Sequence, residues 1–471
     1  MLNRKLVYNS VISAGARVIG LALSLVIIGF ITRYLGQDGF GYYSTILAFL
    51  FFFTVFSDFG LYHICVREIS KPGADEKKIA SNAFTLRFFA GLFVFSLAPL
   101  VILLFPYPSE IKTGVIIAGI GFWLMSNQQV LIGVFQKHLK MDKVALAELL
   151  GRIVQLALVL FFIWQQRSFL FIISALTVGA LVNFVLVFFF SRKYIPISFQ
   201  FDFSYWRVLL KNSLPLALAS VFVLIYFRLD TIMLSLMKPI TDVGIYNLAY
   251  KFLESLLFFP AMFVGLTMPL MSKYAFSARK KFKDIVQKTL DVLLIFVIPL
   301  IIGTFFLSQR LVVLVGGEDF ILSGGVLNIL IIATGIIFLG VLFSNMIIAL
   351  EKQKTLTYIY GLGAVINLVT NFIFIPRYSY YGAAGTTVLT ELVVTVLMVV
   401  VIYRTLEAFP SFISIFKYIL AGLIMGLMLY SLAQWPLLVL VVLAILVYFG
   451  FLWLIGGISI KDILALVKKD V

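Results

Sequence analysis

The chain carries one cysteine, Cys65, and two histidines, His63 and His138, in 471 residues. One thiol forms no internal disulfide framework, and so few soft ligands make no His/Cys metal site. Charge is scarce as well, with Asp, Glu, Lys and Arg at 12% of the chain. No G-x-x-x-x-G-K-[ST] loop occurs, which argues against direct ATP hydrolysis. Long polar stretches are also missing. The longest connection on the cation-poor side, about 309–323 with Gly316, Gly317, Glu318 and Asp319, has no room for a folded domain. A membrane glycosyltransferase or polymerase must hold catalytic groups over a polar substrate outside the bilayer, and this chain offers nowhere to put them. No catalytic residue is therefore assigned.

What is present is apolar. Hydrophobic residues make up 62% of the chain, and mean hydropathy is +1.10. A water-soluble fold of that composition would expose large apolar patches and aggregate, so lipid is the expected solvent. A bilayer core needs roughly 20 apolar residues per helix. By that rule fourteen spans are expected, near 10–32, 43–66, 82–105, 114–135, 145–164, 169–190, 212–236, 245–270, 290–308, 324–350, 355–375, 381–402, 412–432 and 437–456. Arg4 and Lys5 precede a first segment that is long and lacks a small-residue cleavage site, which reads as a retained helix.

The net charge of +16 first suggests nucleic acid, but the cations lie between apolar segments rather than on one domain. Clusters such as Arg67, Lys71, Lys77 and Lys78, or Arg279, Lys280, Lys281, Lys283 and Lys288, fall in alternate connections. The opposite connections hold single cations: Arg33, Lys112, Arg167, Lys238, Arg310 and Arg377. The positive-inside rule then predicts both termini in the cytoplasm of a multi-pass cell-membrane protein, with no nucleic-acid partner.

An internal repeat accompanies the spans. Asn9-Ser10 opens the first and Asn212-Ser213 the seventh; Gly41 and Tyr43 start the second, Gly244 and Tyr246 the eighth, all at an offset of 203. Six spans separate the copies, so both run in the same direction, as in transporter lobes related by an axis along the membrane normal. The expected fold is all-α and polytopic: a six-helix lobe over 1–205, a second over 206–405, and two further helices over 406–471.

The run Thr32-Arg33-Tyr34-Leu35-Gly36 with Gly39-Phe40-Gly41-Tyr42-Tyr43, and Tyr381-Gly382-Ala383-Ala384-Gly385-Thr386-Thr387 leading to Glu391, resembles the polysaccharide-biosynthesis flippases. These belong to the multidrug/oligosaccharidyl-lipid/polysaccharide exporter superfamily. The resemblance covers essentially the whole chain. It implies an O-antigen-type, teichoic or capsular repeat-unit flippase, with polysaccharide assembly proteins as candidate partners.

Independently of family, ionisable residues inside spans are costly and usually face a polar interior. Arg17, Arg152, Arg228 and Lys251 are the candidate substrate-binding cations, with Asp58, Glu148, Asp230, Glu254 and Glu391 as charge-pairing or ion-coupling acids. Arg17 is the expected partner of Asp58, Glu148 and Arg152 form an i,i+4 pair, and Lys251 and Glu254 stand three apart. Arg228 and Asp230, two residues apart, point to different faces. Arg87 is close enough to the cytoplasmic face to snorkel and is not a candidate. Asn367 and Asn371 share a helix face and are candidate partners for sugar hydroxyls. Such a cationic cavity suits a polyprenyl diphosphate carrying a glycan, since Arg binds phosphate oxygens through a planar fork and Lys as a point charge. Pro99, Pro215, Pro260, Pro269 and Pro299 supply bending points for alternating access. No cofactor is expected; the membrane potential, H+ or Na+ are the candidate energy sources. A multidrug antiporter of the same superfamily would need an acidic cavity, and a peptidoglycan-precursor flippase is the chemically close alternative.

Overall fold

A computed structural model describes residues 2–58, 60–406 and 411–457; the side chains of residues 2–14, 63, 212, 214–220 and 223–226 are outside that description. The Asn9-Ser10 pair, Asn212 and Pro215 fall among the latter. The described residues form helices and no strand: α1 (Leu2–Asp58), α2 (Leu61–Ile69), α3 (Glu76–Ile102), α4 (Ser109–Lys137), α5 (Met141–Trp164), α6 (Phe169–Arg192), α7 (Phe203–Met237), α8 (Ile240–Leu256), α9 (Phe258–Tyr274), α10 (Arg279–Gly316), α11 (Ser323–Ala349), α12 (Gln353–Leu406), α13 (Ile415–Ser431) and α14 (Leu437–Leu454). Helices satisfy their own backbone groups, which apolar surroundings require of every segment that crosses lipid.

Among the described residues ten stretches are long and apolar enough to cross a membrane, α8 and α9 counting together as one. Two of the ten are double crossings. α1 changes direction at Gly36 (φ 65°), and α12 at Ser379 (φ 50°). Gly36 has no Cβ to clash in that left-handed region. With α7 and the 17-residue α13 the crossings match the fourteen expected from composition. The eighth expected span is broken into α8 and α9. The break falls at Leu257, three residues before Pro260, whose ring nitrogen cannot donate to the Leu256 carbonyl. Pro99, Pro269 and Pro299 lie inside α3, α9 and α10.

The chain divides into two compact units, Met1–Asn247 with Val315–Gly317, and Leu248–Leu314 with Glu318–Val471. This division falls inside the eighth span; in the first unit α7 packs along α1 and its first turn is tied to α3. The tie is the connection between α6 and α7. Ser198 N–H donates to Ser81 Oγ (3.2 Å), Gln200 N–H to Thr85 Oγ1 (2.9 Å) and Asp202 N–H to Asn82 Oδ1 (3.0 Å). Trp206 Nε1 donates to the same Asn82 oxygen (3.0 Å), and Lys78 closes an ion pair with Asp202 (2.9 Å).

The repeat has a physical counterpart in the first unit. A methyl group at Gly41 would lie 2.2 Å from the carbonyl oxygen of Ile240, and one at Gly244 would lie 2.2 Å from that of Gln37. Gln37 and Ile240 are separated by the same 203 residues as Gly41 and Gly244. Each glycine thus lets its helix touch the carbonyl that is the other contact's equivalent, a reciprocal close approach of the kind small residues permit between helices in lipid.

Candidate functional site

Asp58 ends α1, just before Gly60 takes φ 71° and α2 begins. Its carboxylate Oδ1 lies 2.5 Å from the guanidinium Nη1 of Arg87 on α3. Arg87 is 1% exposed and is the largest of the fully buried side chains. Its Nε donates to Ser126 Oγ on α4 (3.3 Å), and Ser126 and Ser57 share a further hydrogen bond (2.8 Å). One turn along α3, a Cβ at Gly91 would meet Ser57 Oγ at 2.9 Å, so α1, α3 and α4 close around the arginine.

Two expectations are corrected here. The Asp58 partner is Arg87 rather than the expected Arg17, which is exposed on α1. Arg87 does not snorkel: α3 starts at Glu76, not near residue 82, and the buried guanidinium is turned inward to Asp58 and Ser126. The missed signal is Asp75, whose side chain caps α3 by accepting from Lys78 N–H (2.9 Å).

Glu148 and Arg152 form the expected pair on α5, at 2.9 Å. Arg152 also donates to Ser24 on α1, and a Cβ at Gly20 would stand 3.5 Å from Arg152 Nε and 3.9 Å from Glu148 Oε1. Arg17, Gly20 and Ser24 recur at helical spacing on α1, so the Glu148–Arg152 pair lies over the face that also carries Arg17.

Arg228 and Asp230 diverge as expected. The Arg228 guanidinium lies over the Phe51 ring, 4.2 Å from its centroid, while buried Asp230 accepts from Tyr246 O–H (3.0 Å). Thr231 donates to Asn247 (3.2 Å), giving α7 and α8 a second polar contact. A cation over an aromatic face has its charge stabilised by the ring quadrupole.

In the second unit Lys251 and Glu254 form an ion pair at 2.8 Å. Asn371 Nδ2 donates to Asn367 Oδ1 (3.0 Å), and both residues are fully buried. The expected shared face is thus occupied by one amide–amide hydrogen bond inside α12. Glu391, also buried, belongs to a run of buried hydroxyls on the second half of α12, Thr386, Thr387, Thr390 and Thr395. Among the described residues no cluster of three His, Cys, Asp or Glu side chains could hold a metal ion.

A second charged group lies outside the spans. Glu76 accepts from Lys137 Nζ (2.5 Å) and pairs with His138 Nε2 (3.1 Å), while Lys137 also donates to the Ile69 carbonyl. The Lys137 hydrogen bond, above all, holds the Glu76 carboxyl below its ordinary range. A depressed carboxyl stabilises the fold above the unfolded value and loses that contribution as pH falls. Glu76→Gln should therefore cost at most about 1 kcal/mol at neutral pH, since the pair is only half-buried and solvent screens it. The wild-type advantage should begin to shrink as pH drops below about 4.3, the unfolded value, and be gone once pH has fallen through the lower folded value. Thermal midpoints of both proteins across pH check this.

The sequence matches the family model described as "Polysaccharide biosynthesis protein" over residues 6–275, and the MatE model over residues 215–373. It is 24% identical over 392 residues to the "Probable low-salt glycan biosynthesis flippase Agl15" of Haloferax volcanii, covering 81% of this chain and 80% of that protein. The fold is similar to a structure titled "Lipid II flippase MurJ, inward closed conformation", with TM-score 0.77 and 18% identity, covering 96% of this chain and 100% of that one. An inward-facing multidrug resistance MATE family transporter of the MOP superfamily is also similar, with TM-score 0.64 and 13% identity over 84% of this chain and 98% of that one.

Proposed function

This chain belongs to the polysaccharide biosynthesis protein family, and from that membership we propose that it is a flippase for lipid-linked oligosaccharides. The cargo is a polyprenyl diphosphate carrying a glycan repeat unit, moved from the cytoplasmic to the outer leaflet of the cell membrane. The observation that carries this reading is Arg228, a guanidinium set inside α7 over the Phe51 ring. A guanidinium is a planar fork of donors that matches diphosphate oxygens. Arg17 and the Arg152–Glu148 pair, sharing one face of α1 and α5, extend the cationic path within the first unit. The glycan-flippase relative in Haloferax volcanii, matched along four-fifths of its length, supports the same substrate class.

Movement proceeds by alternating access, with lipid tail in the bilayer and head group in the cavity. Transport breaks no bond and needs no catalytic group. The inside-negative potential favours outward movement of an anion by ~2.3 kcal/mol per charge per 100 mV. Glu391 and Glu254 are the candidates for an inward-moving H+ or Na+, whereas Asp58 serves as the structural partner of Arg87.

The test is flipping of a fluorescent polyprenyl-diphosphate oligosaccharide in proteoliposomes. Wild type should move the lipid, and Arg228→Ala should fold normally yet slow flipping at least ~10-fold, the loss of one charge-assisted phosphate contact. A second reading, a cation-coupled multidrug antiporter, is favoured by the MatE match over residues 215–373. Exchange of an organic cation for protons, with the lipid ignored, would establish that reading instead.

A further inference from the structure

The connection between α6 and α7 presents an aromatic plate. Phe199, Phe201 and Phe203 are 53%, 55% and 69% exposed, although the segment's backbone is pinned to α3. Phe199 packs its ring on Phe88 and Phe89 of α3 (centroids 5.2 and 5.8 Å), Phe201 on Phe89 and Trp206 (5.7 and 5.9 Å), and Phe203 on Trp206 (5.0 Å). Exposure here is built in, since each ring is held by its neighbours and by the hydrogen bonds beneath it.

The level of the plate follows from α3. Its exposed apolar face runs from Leu104 back through Leu100, Phe93 and Leu92 to Phe89. A hydrocarbon core of ~30 Å measured from the Leu104 end reaches about 20 residues, to the neighbourhood of Phe84. Phe199, which also packs on Phe84 (6.0 Å), therefore stands at the edge of the core. A polar notch of about 420 Å³ adjoins it, lined by Asp75, Lys77, Lys78, Gln200 and Phe201 among others. Both carboxylates there are engaged: Asp75 caps α3, and Asp202 caps α7 and pairs with Lys78. Lys77 is exposed at the rim, and Arg192, Lys193 and Arg207 follow on the flanking segments.

We propose that this notch and plate form a binding site for an anionic glycerophospholipid of the surrounding bilayer, its phosphate at Lys77 and Lys78 and its acyl chains on Phe199, Phe201 and Phe203. Cations at the headgroup level select the headgroup; aromatic rings at the core edge hold the chains. Asn82 fixes the geometry, accepting from Asp202 N–H and Trp206 Nε1 while donating to Gln200 (3.1 Å). The site stands apart from the charged groups of the transport path, and it requires only that the chain be embedded in a membrane.

The full chain would be reconstituted in phosphatidylcholine vesicles with a small fraction of acyl-diazirine phosphatidylglycerol or acyl-diazirine phosphatidylcholine. After irradiation, mass spectrometry would count adducts on residues 194–206 and, as reference, on α14. The expected result is labelling of 194–206 about fivefold higher with the phosphatidylglycerol probe, one cation's worth of selectivity, and equal labelling of α14 by both. Lys77→Gln, an exposed substitution, should bring the ratio near one. Equal labelling by the two probes in wild type would reduce the plate to ordinary lipid contact and overturn the proposal, as would labelling by neither. A ratio unchanged in Lys77→Gln removes the headgroup notch. Displacement of the label by equimolar polyprenyl diphosphate would reassign the site to the transported lipid.

Discussion

Gly244→Ala is expected to leave little folded protein in detergent, with a destabilisation of about 3 kcal/mol or more. The new methyl would stand 2.2 Å from the Gln37 carbonyl oxygen, which is backbone and cannot rotate away. The helices must separate, and the contacts on either side loosen with them. Gly41→Ala should do the same against Ile240. Because one separation relieves both clashes, the double variant should cost clearly less than the two single costs added. Gly385→Ala is the control: nothing lies within 4 Å of its added Cβ, so stability should hold or rise by up to ~1 kcal/mol. Thermal midpoints and monodisperse yield read all four. An unchanged midpoint in Gly244→Ala would mean that the close approach at 37–41 and 240–244 does not exist.

The second large effect belongs to the Asp58–Arg87 pair, and it should be asymmetric. Asp58→Leu strands a guanidinium that is 1% exposed, and removing one partner of a buried pair costs ~3–5 kcal/mol. Arg87→Met leaves a carboxylate that is 29% exposed and can recruit water, so about 1–3 kcal/mol is expected. The double variant Asp58→Leu/Arg87→Met removes both charges and should be more stable than Asp58→Leu alone. Ser126 and Ser57 keep each other as partners in every case. If Arg87→Met proved the costlier single change, the carboxylate would be the deeper of the two charges, against the geometry here.

Spans could be read from sequence because lipid imposes one rule on every residue of a crossing. Even the break in the eighth followed from a visible cause, Pro260. The repeat was legible for a related reason: Gly41 and Gly244 are required by a contact, and that contact fixes their spacing. The family motif glycines likewise carry geometry, Gly36 through its positive φ and Gly382 because a Cβ would lie 2.4 Å from the Phe374 carbonyl oxygen. Pairs within one helix, Glu148–Arg152 and Lys251–Glu254, were legible because i,i+4 and i,i+3 spacing is set by the helix alone.

Pairs between helices were not. Asp58 could meet any cation at its depth, and the choice of Arg87 over Arg17 depends on how α1 and α3 are rotated, which hydropathy does not encode. Nor does spacing reveal that Arg228 faces Phe51 while Asp230 turns to Tyr246. Asn367 and Asn371 illustrate the opposite limit. Their shared face was correct, yet two amides on one face can satisfy each other as readily as a ligand.

The pinned connection before α7 has a mechanical consequence. Residues 198, 200 and 202 are each held to α3, and α7 starts at the next residue with its Trp206 tied to the same Asn82. No slack remains at that point. Whatever swing α7 makes during a cycle, its first turn must travel with α3 as a fulcrum. The other end is held as well, Asp230 by Tyr246 and the Ile240 carbonyl against Gly41, so α7 is tied to α3 at its start and to α8 and α1 at its end.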